Sequence, residues 1–430
     1  MEYKEWKEDI IGELTEYIID YRGKTPKKSP VGVPTLSAKS VKNNWIDYSE
    51  AYYISEEEYK RFMVRGFPKV GDVLLTMEAP LGLVATLDRN DVGLAQRIVT
   101  MSGKKGTLDN RYFKYYLQSP IGQHELLSRA TGTTVVGISQ KNLRNVKIKF
   151  PRYSTQLKIA NILEQYEKKI EINNKIISNL EAQAQAIFKY YFVDFEPFAD
   201  GNFIDSDIGP IPEGWDVKKI GDLIDFDIGG GWGKENPDEK HTDPAFVIRG
   251  ADLDGIKNGS FNKDNYRYHK ANNYEKRKLE EGDIIFESSG GSPTQVLGRL
   301  LYINDKVLDA YNDNVICASF CKLIRIKDKV LGWYIFNILN YAYNNKALVK
   351  YEVQSTGLAN FAFTIFKEDY NIIVPSRINL ERFYRNTFSF MNYSANLSVQ
   401  NRMLAQTRDA LLPKLMAGEI DLDKLGGAYD

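Results

Sequence analysis

From Gln156 to Phe192 the chain has almost no Gly or Pro, and its apolar positions follow a heptad. Ile159, Leu163, Tyr166, Ile170, Asn173, Ile177, Leu180, Ala184, Ile187 and Tyr191 are spaced alternately by four and three. A seam sustained over about 35 residues predicts one long helix with a coiled-coil stripe, roughly 50 Å at 1.5 Å per residue. Asn173 interrupts the stripe as a polar residue of the kind that fixes register. A second stripe follows between about Leu380 and Leu415: Leu163, Ile170, Ile177 and Ala184 map at an offset of 227 onto Phe390, Leu397, Leu404 and Leu411, and Tyr166 onto Tyr393. The simplest packing is one helix against the other, antiparallel, through Ile170/Leu397 and Ile177/Leu404 layers. Pro413 is expected to end or kink the second helix. Off the seam, Ile172, Ile176, Phe188 and Phe192 are candidates for a docking face or for cover by a neighbouring domain.

The segments before each helix have another texture, and they resemble each other. Short β-branched and aromatic runs such as Asp72–Leu75 and Val146–Phe150 predict short strands with long loops, with a helix near Asn110–Gln118. Trp6, Ile11, Gly12 and Leu14 return as Trp215, Ile220, Gly221 and Leu223 at an offset of 209, and Gly71-Asp72 returns as Gly282-Asp283 at 211. Thr131-Gly132 returns as Thr356-Gly357 at 225, and Pro151 as Pro375 at 224. This drift is what loop insertions do to a duplicated domain. Between the copies, Asp194–Trp215 carries Pro197, Gly201, Gly209, Pro210, Pro212 and Gly214, which break regular elements and mark a linker.

Composition narrows the class. With 430 residues, 43% hydrophobic and 27% charged, the chain suits two ordinary domains plus connecting helices. No apolar run approaches the ~18 residues of a membrane span, and the charged N-terminus lacks the core of a signal peptide. The two cysteines, Cys317 and Cys321, fit a reducing cytoplasm and read as buried thiols. Lys and Arg together number 57, as do Asp and Glu, so net charge is zero. A protein holding DNA by its own charge would usually be basic, so nucleic-acid binding requires convergent basic residues or a partner that shares the grip.

Sequence motifs for covalent chemistry are missing. Asp243-Pro244-Ala245-Phe246 lacks the second proline of an amino-methyltransferase motif. Gly229-Gly230-Gly231-Trp232-Gly233-Lys234-Glu235 is one residue short of a phosphate-binding loop and has Glu where magnesium needs a hydroxyl. It reads as a flexible glycine-rich loop. Glu58-Tyr59-Lys60 has no Pro-Asp pair before it to complete a nuclease motif. His124, His241 and His269 stand in unrelated contexts. The chain reads as a binder, not an enzyme.

Several segments resemble the specificity subunits of type I restriction–modification systems. Pro151, Gln156, Ile159, Ala160 and Leu163 look like that family's opening of a first spacer helix, and Phe188 with Phe192–Pro197 like its end. Ile211–Trp215 with Gly221-Asp222-Leu223 resembles the start of a second target-recognition domain. Leu411–Ile420 resembles the C-terminus, and Asp20–Pro26 a first-domain opening. The segment Ser376–Leu380 departs from the pattern, having no counterpart of Gln156.

The resemblance implies an α+β protein: two similar mixed α/β target-recognition domains at opposite ends of an antiparallel pair of long coiled-coil helices, pseudo-two-fold symmetric. The expected division is domain 1 over 1–150, spacer helix 1 over 151–197, a linker over 198–214, domain 2 over 215–375, and spacer helix 2 with the tail over 376–430. Each domain would read one half of a bipartite double-stranded DNA target, with the half-sites about one helical turn apart. Two modification subunits would dock on the spacer and restriction subunits would join them. S-adenosylmethionine, ATP and Mg2+ are expected on those partners and no cofactor on this chain. Candidate DNA contacts are Arg22, Lys24, Lys27, Lys28, Lys141 and Arg144 in the first copy and Arg249, Arg267, Lys276 and Arg277 in the second. The alternative is a two-lobed scaffold for a glycan or peptide.

Overall fold

The computed structural model describes residues 6–420 and 422, apart from 22, 24, 133–134, 291–295, 313 and 356–357. The chain forms two units, Met1–Lys168 with Ala405–Asp430, and Lys169–Leu404.

In the first unit an antiparallel sheet has the strand order Thr15–Asp20, Ile98–Gly103, Val73–Met77, Leu81–Thr86. Strand Val73–Met77 is buried along its whole length, which explains its unbroken apolar run. Successive side chains point to opposite faces. Val73, Leu75 and Met77 enter a core shared with helix Asn110–Gln118 and with Ile159, Ala160, Leu163, Leu415 and Met416 of the long helices. Leu74 faces the other way, into a core roofed by a smaller sheet of Lys28–Ser29, Tyr52–Ile54, Val33–Leu36 and Gly93–Leu94.

The second unit repeats this plan. Its four-stranded sheet runs Phe226–Gly229, Cys321–Arg325, Ile284–Glu287, Leu300–Tyr302. Ile284 and Phe286 face a core with helix Lys329–Asn344, Phe188, Phe192 and Phe383, while Ile285 faces the opposite core. A smaller sheet of Tyr266–His269, Asp243–Ile248 and Val315–Cys317 accompanies that sheet, and in both small sheets a central strand, Val33–Leu36 or Asp243–Ile248, has an antiparallel neighbour on one side and a parallel one on the other. The recurring Gly-Asp pair has one physical cause in both copies. Gly71 and Gly282 take φ of +90° and +100°, turning the chain so that the buried Asp72 and Asp283 carboxylates accept the backbone N–H of Lys69 (2.8 Å) and Glu280 (2.7 Å). Gly12 and Gly221 also recur for a reason: a Cβ there would lie 3.2 Å from the Arg144 carbonyl oxygen and 2.7 Å from that of Lys367.

The long helices are Tyr153–Phe192 and Arg377–Ala417, of 40 and 41 residues, each about 60 Å long. Both start about a turn earlier than their apolar stripes. Gln156 anchors the first start: its carbonyl accepts from Asp109 N (2.9 Å) and its amide donates to Thr107 O (2.8 Å).

Within the second unit the helices run antiparallel, since Asn173 meets Gln400 and Asn401 while Phe188 meets Phe383 further along. Asn173 Nδ2 donates to Gln400 Oε1 and Asn401 Oδ1, and Asn401 Nδ2 donates to Asn174 Oδ1, all at 2.8 Å. Gln400 and Asn401 are the offset-227 counterparts of Asn173 and Asn174. The expected layers are therefore corrected. In an antiparallel pair only residues at the symmetry centre meet their own counterparts. The asparagine register sets Ile177 across from Leu397 and Ile170 across from Leu404. Ile177 and Leu397 are 2% and 7% exposed.

Four other expectations change. Near the end of the first helix the buried stripe is Ala184, Phe188, Phe192, not Ile187 and Tyr191, because Tyr334 and Trp215 of the second domain cover it together with Phe383 of the partner helix. Phe188 and Phe192 are thus core residues and not a docking face. Tyr393 is 52% exposed and is not a seam residue. The second helix does not end at Pro413 but continues to Ala417. Burial of Leu415 and Met416 beyond it, about 1.5–3 kcal/mol each, offsets a proline cost of about 3 kcal/mol. Finally, the linker contains a 3-10 turn, Glu196–Phe198, and a two-stranded ribbon pairing Phe203–Ile204 with Ile211–Pro212.

Candidate nucleic-acid interface

Arg22 and Lys24 lie outside the described residues. Lys27 and Lys28 are exposed beside the smaller sheet of the first unit: Lys27 N donates to Glu58 Oε1 (2.9 Å) and Lys28 Nζ stands 4.8 Å from the Tyr52 ring. Glu58 also pairs with Arg61, so the would-be nuclease tail serves as a brace for this loop. Lys141 and Arg144 are exposed on helix Gln140–Arg144, whose Leu143 enters the core on the long-helix side. Lys27 and Lys28 stand by the smaller sheet, whereas Lys141 and Arg144 lie on the long-helix side of the main sheet, so these four form no single patch.

In the second unit the arginines are occupied. Arg277 Nε donates to Gly229 O (2.9 Å) and its Nη1 to Asn273 O (3.3 Å). Arg267 lies 5.2 Å from the Trp232 ring centre and 3.3 Å from Glu235. Arg249 is gripped through Nε and Nη2 by both oxygens of Asp252, at 3.0 and 2.9 Å. Burial pushes the Asp252 carboxyl upward, but the Arg249 side chain and backbone bonds outweigh it and hold it below its ordinary value. Lys276 is exposed.

The glycine-rich loop is pinned rather than flexible. Gly230 N and Gly231 N each donate at 2.9 Å, to Cys321 O and Cys317 O, and Lys234 exchanges two backbone bonds with Tyr268. A Cβ on Gly230 would lie 2.2 and 2.3 Å from the Ala318 and Cys317 carbonyl oxygens, so glycine serves close approach here. Gly230→Ala should cost about 1–3 kcal/mol in thermal or urea unfolding. Gly229→Ala, with nothing within 4 Å of its Cβ, should cost less than half as much. Cys317 and Cys321 lie buried under this loop, and burial pushes the Cys317 thiol up to about 12.

This loop edges a feature the sequence did not reveal. A cavity of about 610 Å3 opens between Trp232, Arg249, Leu297 and Phe320, floored by the Glu287–Arg299 ion pair. Arg299 Nε and Nη2 meet the two Glu287 oxygens at 2.8 and 2.6 Å, and its Nη1 reaches Asp254 at 3.0 Å. Trp232 and Phe320 are 41% and 52% exposed. The residues that shape it come from segments up to about 90 positions apart, and no local pattern marks them. Among the described residues, no group of three or more His, Cys, Asp or Glu could hold a metal ion, and no helix is long and apolar enough to cross a membrane.

The model of the type I restriction modification DNA specificity domain matches residues 3–182 and 212–379, one match per copy. The chain belongs to this family, and its function is to supply DNA sequence specificity. It is 27% identical over 379 residues to the type I restriction enzyme MjaIX specificity subunit of Methanocaldococcus jannaschii, covering 86% of this chain and 82% of that one. The HindI specificity subunit of Haemophilus influenzae is 22% identical over 355 residues, covering 69% and 74%. Among solved structures, the S subunit of a type I restriction–modification system from M. genitalium matches 96% of this chain and 97% of its own at 15% identity, with a TM-score of 0.54, and so shares the fold. Nothing in these comparisons favours the glycan or peptide scaffold.

Proposed function

We propose that each domain reads one half of a bipartite double-stranded DNA target, and that the long helices carry the docking face for two modification subunits. The observation that carries this reading is the repeated sheet plan, present once in each unit with its own pair of cores. Restriction subunits join the assembly, and S-adenosylmethionine, ATP and Mg2+ belong to those partners. The chain itself supplies recognition and no bond-making step. Shared grip on DNA accounts for a net charge of zero, because neighbouring subunits contribute the remaining phosphate contacts.

The helices still offer apolar surface after the domains have taken Phe188 and Phe192. Ile172 is 51% exposed and Met403 60%. Paired substitution Ile172→Asp with Met403→Asp should leave the isolated chain folded and weaken its complex with the modification subunit at least ten-fold. Size exclusion with light scattering, and titration by mobility shift on duplex DNA with and without that subunit, read the effect. An unchanged complex would remove the docking role from this face.

A further inference from the structure

Corresponding loops of the two domains keep the same backbone bonds while exchanging their side chains. In the first domain Ala95 N donates to Leu36 O (2.7 Å), Met77 N to Arg97 O (2.8 Å) and Ile138 N to Met77 O (3.0 Å). In the second, Ala318 N donates to Ile248 O (2.8 Å), Ser288 N to Phe320 O (2.9 Å) and Phe361 N to Ser288 O (2.8 Å). The turn after the small sheet's central strand repeats too: Ser37 N donates to Ser40 Oγ (3.2 Å), and Arg249 N to Asp252 Oδ2 (2.9 Å). These bonds equate Ser37 with Arg249, Gln96 with Ser319, and Arg97 with Phe320. A frame that holds its backbone and varies its side chains is what a reader of two different half-sites requires.

The geometry points to this three-loop corner as the base-reading surface of each domain, an inference that rests on the two-reader function above. The side chains are Ser37, Gln96 and Arg97 in the first domain and Arg249, Ser319 and Phe320 in the second. In the second domain the corner is the rim of the 610 Å3 cavity. In the first, Gln96 Nε2 donates to Thr25 Oγ1 (2.6 Å), which places the corner beside the segment leading to Lys27 and Lys28. Arg97 is held at φ +71°, a left-handed conformation costly for arginine and typical of functional loops.

Each arginine is braced by an acidic neighbour. Arg249 spends Nε and Nη2 on Asp252, bonds that leave Nη1 and the second N–H of Nη2 uncommitted on a side chain 42% exposed. Arg97 Nε stands 2.9 Å from Glu78, and its side chain is 56% exposed. A braced guanidinium has less rotamer freedom to lose on binding. The chemistry these groups can read follows from the major groove: two N–H donors match guanine O6 and N7, a Gln amide matches adenine, and an apolar ring contacts the thymine methyl. Arg249 and Arg97 are assigned to guanine edges, one in each half of the target.

The test uses the full chain assembled with its modification subunit, with methylated sites mapped on duplex DNA of random sequence. Arg249→Gln should lower preference at one base pair of one half-site by roughly ten-fold or more and leave the other half intact. Arg97→Gln should do the same in the opposite half. Phe320→Ala and Gln96→Ala, on neighbouring positions of the same corners, repeat the measurement should an arginine variant fail to assemble. Lys276→Gln, at an exposed lysine that does not line the cavity, should at most weaken all sites uniformly. Corner variants that assemble and methylate an unchanged motif, or that weaken both halves alike, would overturn the inference while leaving two-domain reading intact. A wild-type complex with no sequence preference would overturn both.

Discussion

Ile177→Asp is expected to destabilise the second unit by roughly 3–5 kcal/mol, measured by denaturant unfolding of the isolated chain. Ile177 is 2% exposed, and the asparagine register sets it across from Leu397, one turn from the amides that link Asn173 to Gln400 and Asn401. A carboxylate placed there loses its water against the apolar seam, so it must open the helix pair locally or take up a proton. Ile172→Asp is the control, on the same helix but 51% exposed, and should change stability by under about 0.5 kcal/mol. Equal effects at the two positions would show that the helices are not held by this seam.

Replacing residues 1–150 by those of a relative with a different target should change one half of the methylated motif and preserve the other. The physical ground is separability. The first domain closes its own two cores around Val73–Met77, and the second closes two others around Ile284–Glu287, so neither needs the other's strands to fold. The exchanged segment must still accept Ile159, Ala160 and Leu163, which enter its core from the long helix. The donor must therefore match the volume of the side chains that receive them, such as Val73, Tyr112, Phe113 and Leu117. Mapping methylation sites of the chimera decides the matter: if both half-sites change together, the domains do not read independently.

The long helices and the duplication were legible because both are written in local or directly comparable patterns. A stripe of apolar residues every three or four positions admits few structures other than a helix with one buried face. Two stretches repeating Gly-Asp at the same place in a fold need the same turn, and the structure shows the same turn. The asparagine interruption also marked a register device, since a buried amide N–H demands an acceptor, which Gln400 and Asn401 supply. Where the pattern misled, a competing burial was responsible. Phe188 and Phe192 lie off a strict heptad, yet the second domain offers them a larger apolar surface than the partner helix does. Pro413 breaks a rule of isolated helices, but Leu415 and Met416 beyond it are buried in the first unit.

Basic residues were the least legible. A sequence shows charge but not what that charge already serves: Arg277 spends its donors on Gly229 and Asn273, and Arg267 stacks on Trp232. By itself the sequence determined that this chain is two copies of one mixed α/β domain, each followed by a long helix, with no motif for chemistry of its own. Only the tertiary structure decided which loops meet at a corner, which arginines stand braced toward solvent, and which residues face each other across the helix pair. Periodicity is a property of neighbours in the chain. A binding surface is a property of backbone bonds such as Leu36 to Ala95, which join residues that nothing in the linear order brings together.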